Sequence, residues 1–150
     1  MSSGISPFNA ESPQHLGEQD RPEITPAPGY HLIFDAWGCE NLSDATLINR
    51  TLVDAAEAAG ATILNVFIHS FGGGGGVTGV AALAESHISV HTWPENDYAA
   101  FDIFMCGDCQ PEKSLAILRA VFKPTSTETR TIVRGKPAES QQACERRLAG

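Results

Sequence analysis

The sequence predicts an α+β fold, a two-layer sandwich whose mainly antiparallel sheet carries two helices on one face. Three observations lead there. Strand-like runs outnumber helix-like ones, the central runs are joined by links too short for a parallel crossover, and only two segments carry a helical apolar period. No internal repeat suggests a solenoid.

Residues 30–37 (YHLIFDAW) form the first strand by their aromatic and branched content. Residues 43–60 (SDATLINRTLVDAAEAAG) read as a helix that Ser43 caps and Gly60 ends, with Ile48, Leu52, Ala55, Ala56 and Ala59 on one face. A second strand spans 61–71 and runs into five glycines at 72–76. Three more strands come next at 77–84, 86–93 and 98–106, the last two separated by the turn-forming run PEND. Residues 110–122 (QPEKSLAILRAVF) make the second helix, with Pro111 in its first turn and Leu115, Leu118 and Phe122 inward. An alternating strand at 126–134 closes the domain.

The flanks differ in composition. Residues 1–29 are rich in Pro, Ser, Glu and Gln without apolar period and read as a flexible leader; residues 136–150 read as a polar tail. The domain is thus expected over 30–135, and 42% hydrophobic residues suffice for one core. A net charge of −8 argues against nucleic acid as a partner. No apolar run reaches the roughly 20 residues of a membrane span, and the first residues lack the pattern of a signal peptide. Cys39, Cys106, Cys109 and Cys144 are therefore expected as thiols in a reducing cytoplasm.

Chemistry concentrates in residues 84–109, AESHISVHTWPENDYAAFDIFMCGDC. If Trp93 faces Tyr98 in a hairpin, Ser86 faces Met105 with Cys106 alongside; one more residue in the turn pairs Ser86 with Cys106 itself. Either register brings the hydroxyl and the thiol within roughly 5–8 Å. His91 lies further along the same strand, and only a bend or bulge aims it at that point. His87 and His91 with Cys106 and Cys109 offer a second reading, a structural zinc site, although the His-before-Cys order and the strand context depart from common fingers. A redox CGDC pair should open a helix, whereas here Pro111 starts the helix after the motif. The glycine run lacks the G-K-[ST] of a phosphate loop and reads as backbone for sharp turns or close approach.

The string LAESHISVHTWPENDYAAFDIFMCGD, together with GYHLIFDAWGCE and TIVRG, resembles the prokaryotic S-adenosylmethionine decarboxylase proenzymes, a pyruvoyl-dependent family, over roughly residues 29–135. The resemblance implies self-cleavage between Glu85 and Ser86 into 1–85 and 86–150, with Ser86 becoming a pyruvoyl group that forms a Schiff base with substrate and acts as electron sink. It implies His91 as processing base, Thr78 as an assisting hydroxyl and Cys106 as proton donor, a role open to thiols because they are mostly protonated at neutral pH. Glu95 matches a carboxylate holding the ribose hydroxyls and Phe71 an aromatic stacking on adenine. Cys109 has no counterpart role. The implied partners are S-adenosylmethionine and a second copy, in a homodimer of cleaved protomers with shared sites; the implied product is the aminopropyl donor for spermidine synthesis, and no metal enters. Between Phe71 and Thr78 this chain has a run of glycines, one residue longer, where the family usually has a proline and polar residues. That departure keeps a pyruvoyl-dependent arginine or ornithine decarboxylase open as an alternative, and a non-catalytic zinc-binding module is the alternative of another class.

Overall fold

A computed structural model of the chain describes residues 29–135. The expected leader, apart from Gly29, and the expected polar tail lie outside these residues. Gly29 lies in the first strand and is buried.

Six strands form one sheet: β1 (Gly29–Trp37), β2 (Ile63–Ser70), β3 (Val77–Leu83), β4 (Ser86–Trp93), β5 (Tyr98–Met105) and β6 (Ser126–Arg134). The described residues also hold two α-helices, α1 (Ala45–Ala58) and α2 (Pro111–Phe122). The spatial order is β2-β3-β4-β5-β1-β6, and each neighbouring pair is antiparallel. Short links make β2 to β5 a meander, while the two helical connections let β1 insert between β5 and β6.

Alternation along the strands decides which face is covered. Leu32, Phe34, Ala36, Ile88, Val90, Phe101, Ile103 and Met105 are buried on the face that meets the helices. Ile48, Leu52, Ala55 and Ala56 of α1 and Leu115, Leu118 and Phe122 of α2 are buried against them. Burying such side chains stabilises the fold by about 1.5–3 kcal/mol each. The helices also touch each other, where buried Ser114 donates to the carbonyl of Ala55 at 2.8 Å. Gly79 lets α1 approach the sheet, because a Cβ there meets Ile68 Cδ1 at 2.7 Å and Leu52 Cδ1 at 3.2 Å.

Helix ends differ in one respect from the sequence expectation. Asp44, not Ser43, caps α1, its carboxylate accepting from Leu47 N at 2.9 Å. Ser43 is turned instead toward the glycine loop and donates to the carbonyl of Gly74 at 2.8 Å. A carboxylate one residue closer to the first turn is the better acceptor for its free N–H groups. Gly60 follows the helix at φ +78°, as a terminating glycine should. Strands β2, β3 and β5 are trimmed relative to expectation, Ala84 and Cys106 falling just outside the ladder.

Among the described residues the other face carries no helix. It exposes Trp37, Phe67, Val80, Trp93 and Ile132, interleaved with half-buried polar groups. Trp37, Tyr98 and Trp93 stack across three strands with ring centroids 5.6 and 5.2 Å apart. Tyr98 also donates a short hydrogen bond to Asp35. Nearby, His31 Nε2 lies 3.0 Å from Asp102 Oδ1, and His87 stands beside them with its pKa lowered by burial and by the His31 charge. No helix among the described residues is long and apolar enough to cross a membrane.

Candidate active site

The β3–β4 turn holds the sequence's central pair. Leu83 faces Ser86 across the hairpin, leaving Ala84 and Glu85 as the turn. Across the next ladder Ser86 faces Met105, the first of the two expected registers, so that Cys106 emerges beside the turn. The Cys106 thiol donates to the carbonyl oxygen of Glu85 with Sγ 3.1 Å away. That carbonyl belongs to the peptide bond joining Glu85 to Ser86. Ser86 itself has φ +156°, a positive value outside the left-handed helical well. Holding a non-glycine residue there costs of order 1–3 kcal/mol.

Glu85 is fixed by its side chain. Its two carboxylate oxygens accept from Thr62 N at 2.9 Å and Thr62 Oγ1 at 3.0 Å. The Thr62 amide is the chief cause holding this carboxyl below its usual pKa. Sequence reasoning misses Thr62 because it lies in the link before β2 and belongs to no motif. Its signal is the β2–β3 hairpin: Ser70 pairs with Val77, which brings the start of β2 opposite the end of β3. Cys109 stays aside, its thiol 3.7 Å from the Gly60 carbonyl and its pKa raised chiefly by burial.

A second group forms at the opposite end of β4. Thr78 pairs with His91, and Thr78 Oγ1 lies 3.1 Å from His91 Nδ1. Phe71 is exposed above the glycine loop, edge-on to His69 at 4.8 Å, and Glu95 is exposed in the single 3-10 turn Pro94–Asn96. The loop closes on itself through Phe71 N to Gly76 O at 3.1 Å and Gly75 N to Gly72 O at 2.7 Å. Gly76 packs so closely on the Thr92 carbonyl that no side chain fits. Thr78, His91, Phe71 and Glu95 therefore gather at one end of the sheet.

The two groups do not meet within one chain. β4 pairs without interruption with both neighbours from Ser86 to His91, so the bulge needed to bring them together does not exist. Five residues of strand separate Ser86 from His91 by roughly 17 Å. The same regularity dismantles the zinc reading. His87 and His91 lie four residues apart along an extended strand, and the thiols of Cys106 and Cys109 are turned to the carbonyls of Glu85 and Gly60.

The model of one protein family, described as S-adenosylmethionine decarboxylase, matches residues 30–135. The chain belongs to the S-adenosylmethionine decarboxylase family. It is 48% identical over 110 residues to an S-adenosylmethionine decarboxylase proenzyme of Methanococcus maripaludis, covering 71% of this chain and 89% of that one. A proenzyme of the same name from Parasynechococcus marenigrum is 46% identical over 113 residues, 73% of this chain and 88% of the other. One from Thermomicrobium roseum is 39% identical over 108 residues, 71% and 93%. Among solved structures, the adenosylmethionine decarboxylase of Aquifex aeolicus superposes with a TM-score of 0.67 at 29% identity, covering 75% of this chain and 95% of that one. Decarboxylases of this family depend on a pyruvoyl group made from an internal serine by self-cleavage.

The residues present fit such a group. Ser86 heads a strand directly after a turn, with the thiol of Cys106 against the carbonyl to which it is bonded.

Proposed function

We propose that this chain cuts itself between Glu85 and Ser86 and then decarboxylates S-adenosylmethionine, supplying the aminopropyl donor for spermidine synthesis. The contact between Cys106 Sγ and Glu85 O, 3.1 Å, carries the reading, since it puts a proton donor on the carbonyl that must accept charge. The relatives' shared name favours S-adenosylmethionine over arginine or ornithine as substrate.

Cleavage uses protein side chains and one water. The Ser86 hydroxyl oxygen bonds to the Glu85 carbonyl carbon, the Cys106 thiol steadies the oxyanion, and the carbon–nitrogen bond breaks to leave an ester. A base removes the Ser86 α-proton, the Ser86 Cβ–Oγ bond breaks to release the backbone α-carboxylate that now ends fragment 1–85, and the dehydroalanine left behind takes up water and loses ammonia. Intramolecular attack gains from a very high effective concentration, and positive φ at Ser86 is relieved when the peptide bond opens. The pyruvoyl product supplies a carbonyl electrophile and electron sink absent from the encoded side chains. During turnover Cys106 returns a proton to the substrate carbon that loses carbon dioxide.

The base is His91 of a second copy, assisted by Thr78. Roughly 17 Å of strand keeps a chain's own His91 from its Ser86, whereas two sheets packed antiparallel bring each Thr78–His91 pair to the other's Glu85–Ser86 turn. The helix-free face supports this homodimer, with Trp37 40%, Trp93 38% and Phe67 59% exposed on a surface that monomers rarely leave bare. Glu95 and Phe71, at the same end as His91, then serve the ribose hydroxyls and adenine across the pair. The glycine loop closing next to Phe71 sets that ring's height. Free thiols at Cys39, Cys106 and Cys109 suit a cytoplasmic enzyme.

Intact-mass measurement tests the cut. Wild type should yield fragments 1–85 and 86–150 and release carbon dioxide from S-adenosylmethionine but not from arginine or ornithine, while Ser86→Ala stays whole. A purified wild type that remains a single chain rules the reading out.

A further inference from the structure

Resting on the self-cleavage reading, we infer that Thr62 is a positioning residue for the cut, clamping Glu85 so that its carbonyl faces the Cys106 thiol. Thr62 lies twenty-two residues before the segment that carries the chemistry begins at Ala84. Its contacts nonetheless converge on the two residues before the broken bond. Thr62 N and Oγ1 each donate to one oxygen of the Glu85 carboxylate, at 2.9 and 3.0 Å. Thr62 O in turn accepts from Ala84 N at 2.9 Å. Three hydrogen bonds, two of them charge-assisted, thus add to the hold on this two-residue turn.

The backbone shows how β2 reaches the turn. Ile63 pairs with Leu83 but Asn65 pairs with Ala82, so one extra residue, Leu64, is bulged out of the ladder. A bulge increases local twist and re-aims the residues beside it. Here it carries the beginning of the strand past the end of β3, and Thr62 arrives over Ala84 and Glu85.

The clamp works against a second anchor. On the far side of the bond Ser86 is tied into β4, paired with Leu83 and with Met105. With Glu85 held by Thr62 and Ser86 held by the ladder, the peptide between them cannot relax its φ of +156° by rotating the turn. The Glu85 carbonyl stays on Cys106 Sγ at 3.1 Å. After the cut the same contacts keep the new end of fragment 1–85 in place.

Time-resolved intact mass of the full chain, made by cell-free translation, separates this role from a merely structural one. Thr62→Val removes one donor with little change of volume, and Thr62→Ser restores it. Thr62→Val should slow cleavage roughly tenfold, the scale of one hydrogen bond to a charged group. Thr62→Ser should cut within about twofold of wild type, and all three chains should share one melting temperature, since Thr62 is exposed. Equal cleavage rates for Thr62→Val and wild type overturn the inference, as does slowing shared alike by Thr62→Val and Thr62→Ser or tracking a lowered melting temperature. A wild type that never cuts fails differently, by removing the self-cleavage reading itself.

Discussion

The Cys106 thiol lies 3.1 Å from the Glu85 carbonyl oxygen, although the two residues are twenty-one apart in the chain. On the proposed reading this one contact gives the thiol two tasks. Cys106→Ala should slow cleavage by about 10²-fold, the effect of losing an oxyanion donor, and the molecules that do cut should lose about 10²–10⁴-fold in turnover. Cys106→Ser keeps a donor at the carbonyl and should cut faster than Cys106→Ala. Fragment mass over time and carbon dioxide release per cut chain check both parts. Wild-type turnover in cut Cys106→Ala assigns the proton donor elsewhere.

The regularity of β4 predicts complementation between chains. His91→Ala alone should stay whole, and so should Ser86→Ala alone. Co-expressed with distinguishable tags, the His91→Ala chain should be cut, because its Ser86 meets an intact His91 from the Ser86→Ala copy. Mass spectrometry identifies which tag is on the fragments. No cleavage in the mixture places the base within the same chain and removes the shared site.

Tyr98 gives the fold an alkaline limit. Burial, with the hydrogen bond to Asp35 adding to it, raises the phenol to about 12. An acid whose pKa is raised by folding favours the folded state while protonated. That stability is complete below the unfolded value near 10 and is lost as pH climbs through the folded value of about 12. Melting temperature should therefore fall more steeply over that window for wild type than for Tyr98→Phe. At neutral pH Tyr98→Phe should be less stable by about 1 kcal/mol. Parallel pH profiles for the two proteins contradict the assignment.

At Gly79 the sheet is packed closely by its own neighbours and by Leu52 of α1. Gly79→Ala puts a methyl 2.7 Å from Ile68 Cδ1 and 3.0 Å from Val90 Cγ1, inside ordinary contact. Overpacking of this kind destabilises by about 1–3 kcal/mol. Denaturant unfolding of the Ser86→Ala background, which avoids mixing cut and uncut chains, measures it. Unchanged stability means that α1 has room to shift.

Much of this protein is legible in its residues alone, for local reasons. Apolar period marks both helices and their inward faces, from Ile48 to Ala59 and from Leu115 to Phe122. Alternation and turn residues mark the strands, and the tight PEND link brings Ser86 near Cys106 in either of two registers, of which the structure adopts the Ser86–Met105 one. The capping residue escapes because Ser43 and Asp44 are both favoured cap types, and the helix start that hands the cap to Asp44 while the glycine loop takes the Ser43 hydroxyl shows only in the fold. His91 can be ranked as a base from the motif, yet its distance from Ser86 depends on whether β4 bulges.

By itself, then, the sequence determined the elements, which strands form hairpins and the closeness of Ser86 to Cys106, because each is set by neighbours within one turn or one hairpin. Tertiary structure alone decided that Thr62 grips Glu85, that β1 slips between β5 and β6, and that Thr78 and His91 stand at the far end from Ser86. Those facts depend on how distant strands order themselves in a sheet, and sheet order is set by the packing of helices and strands together, which no local pattern records.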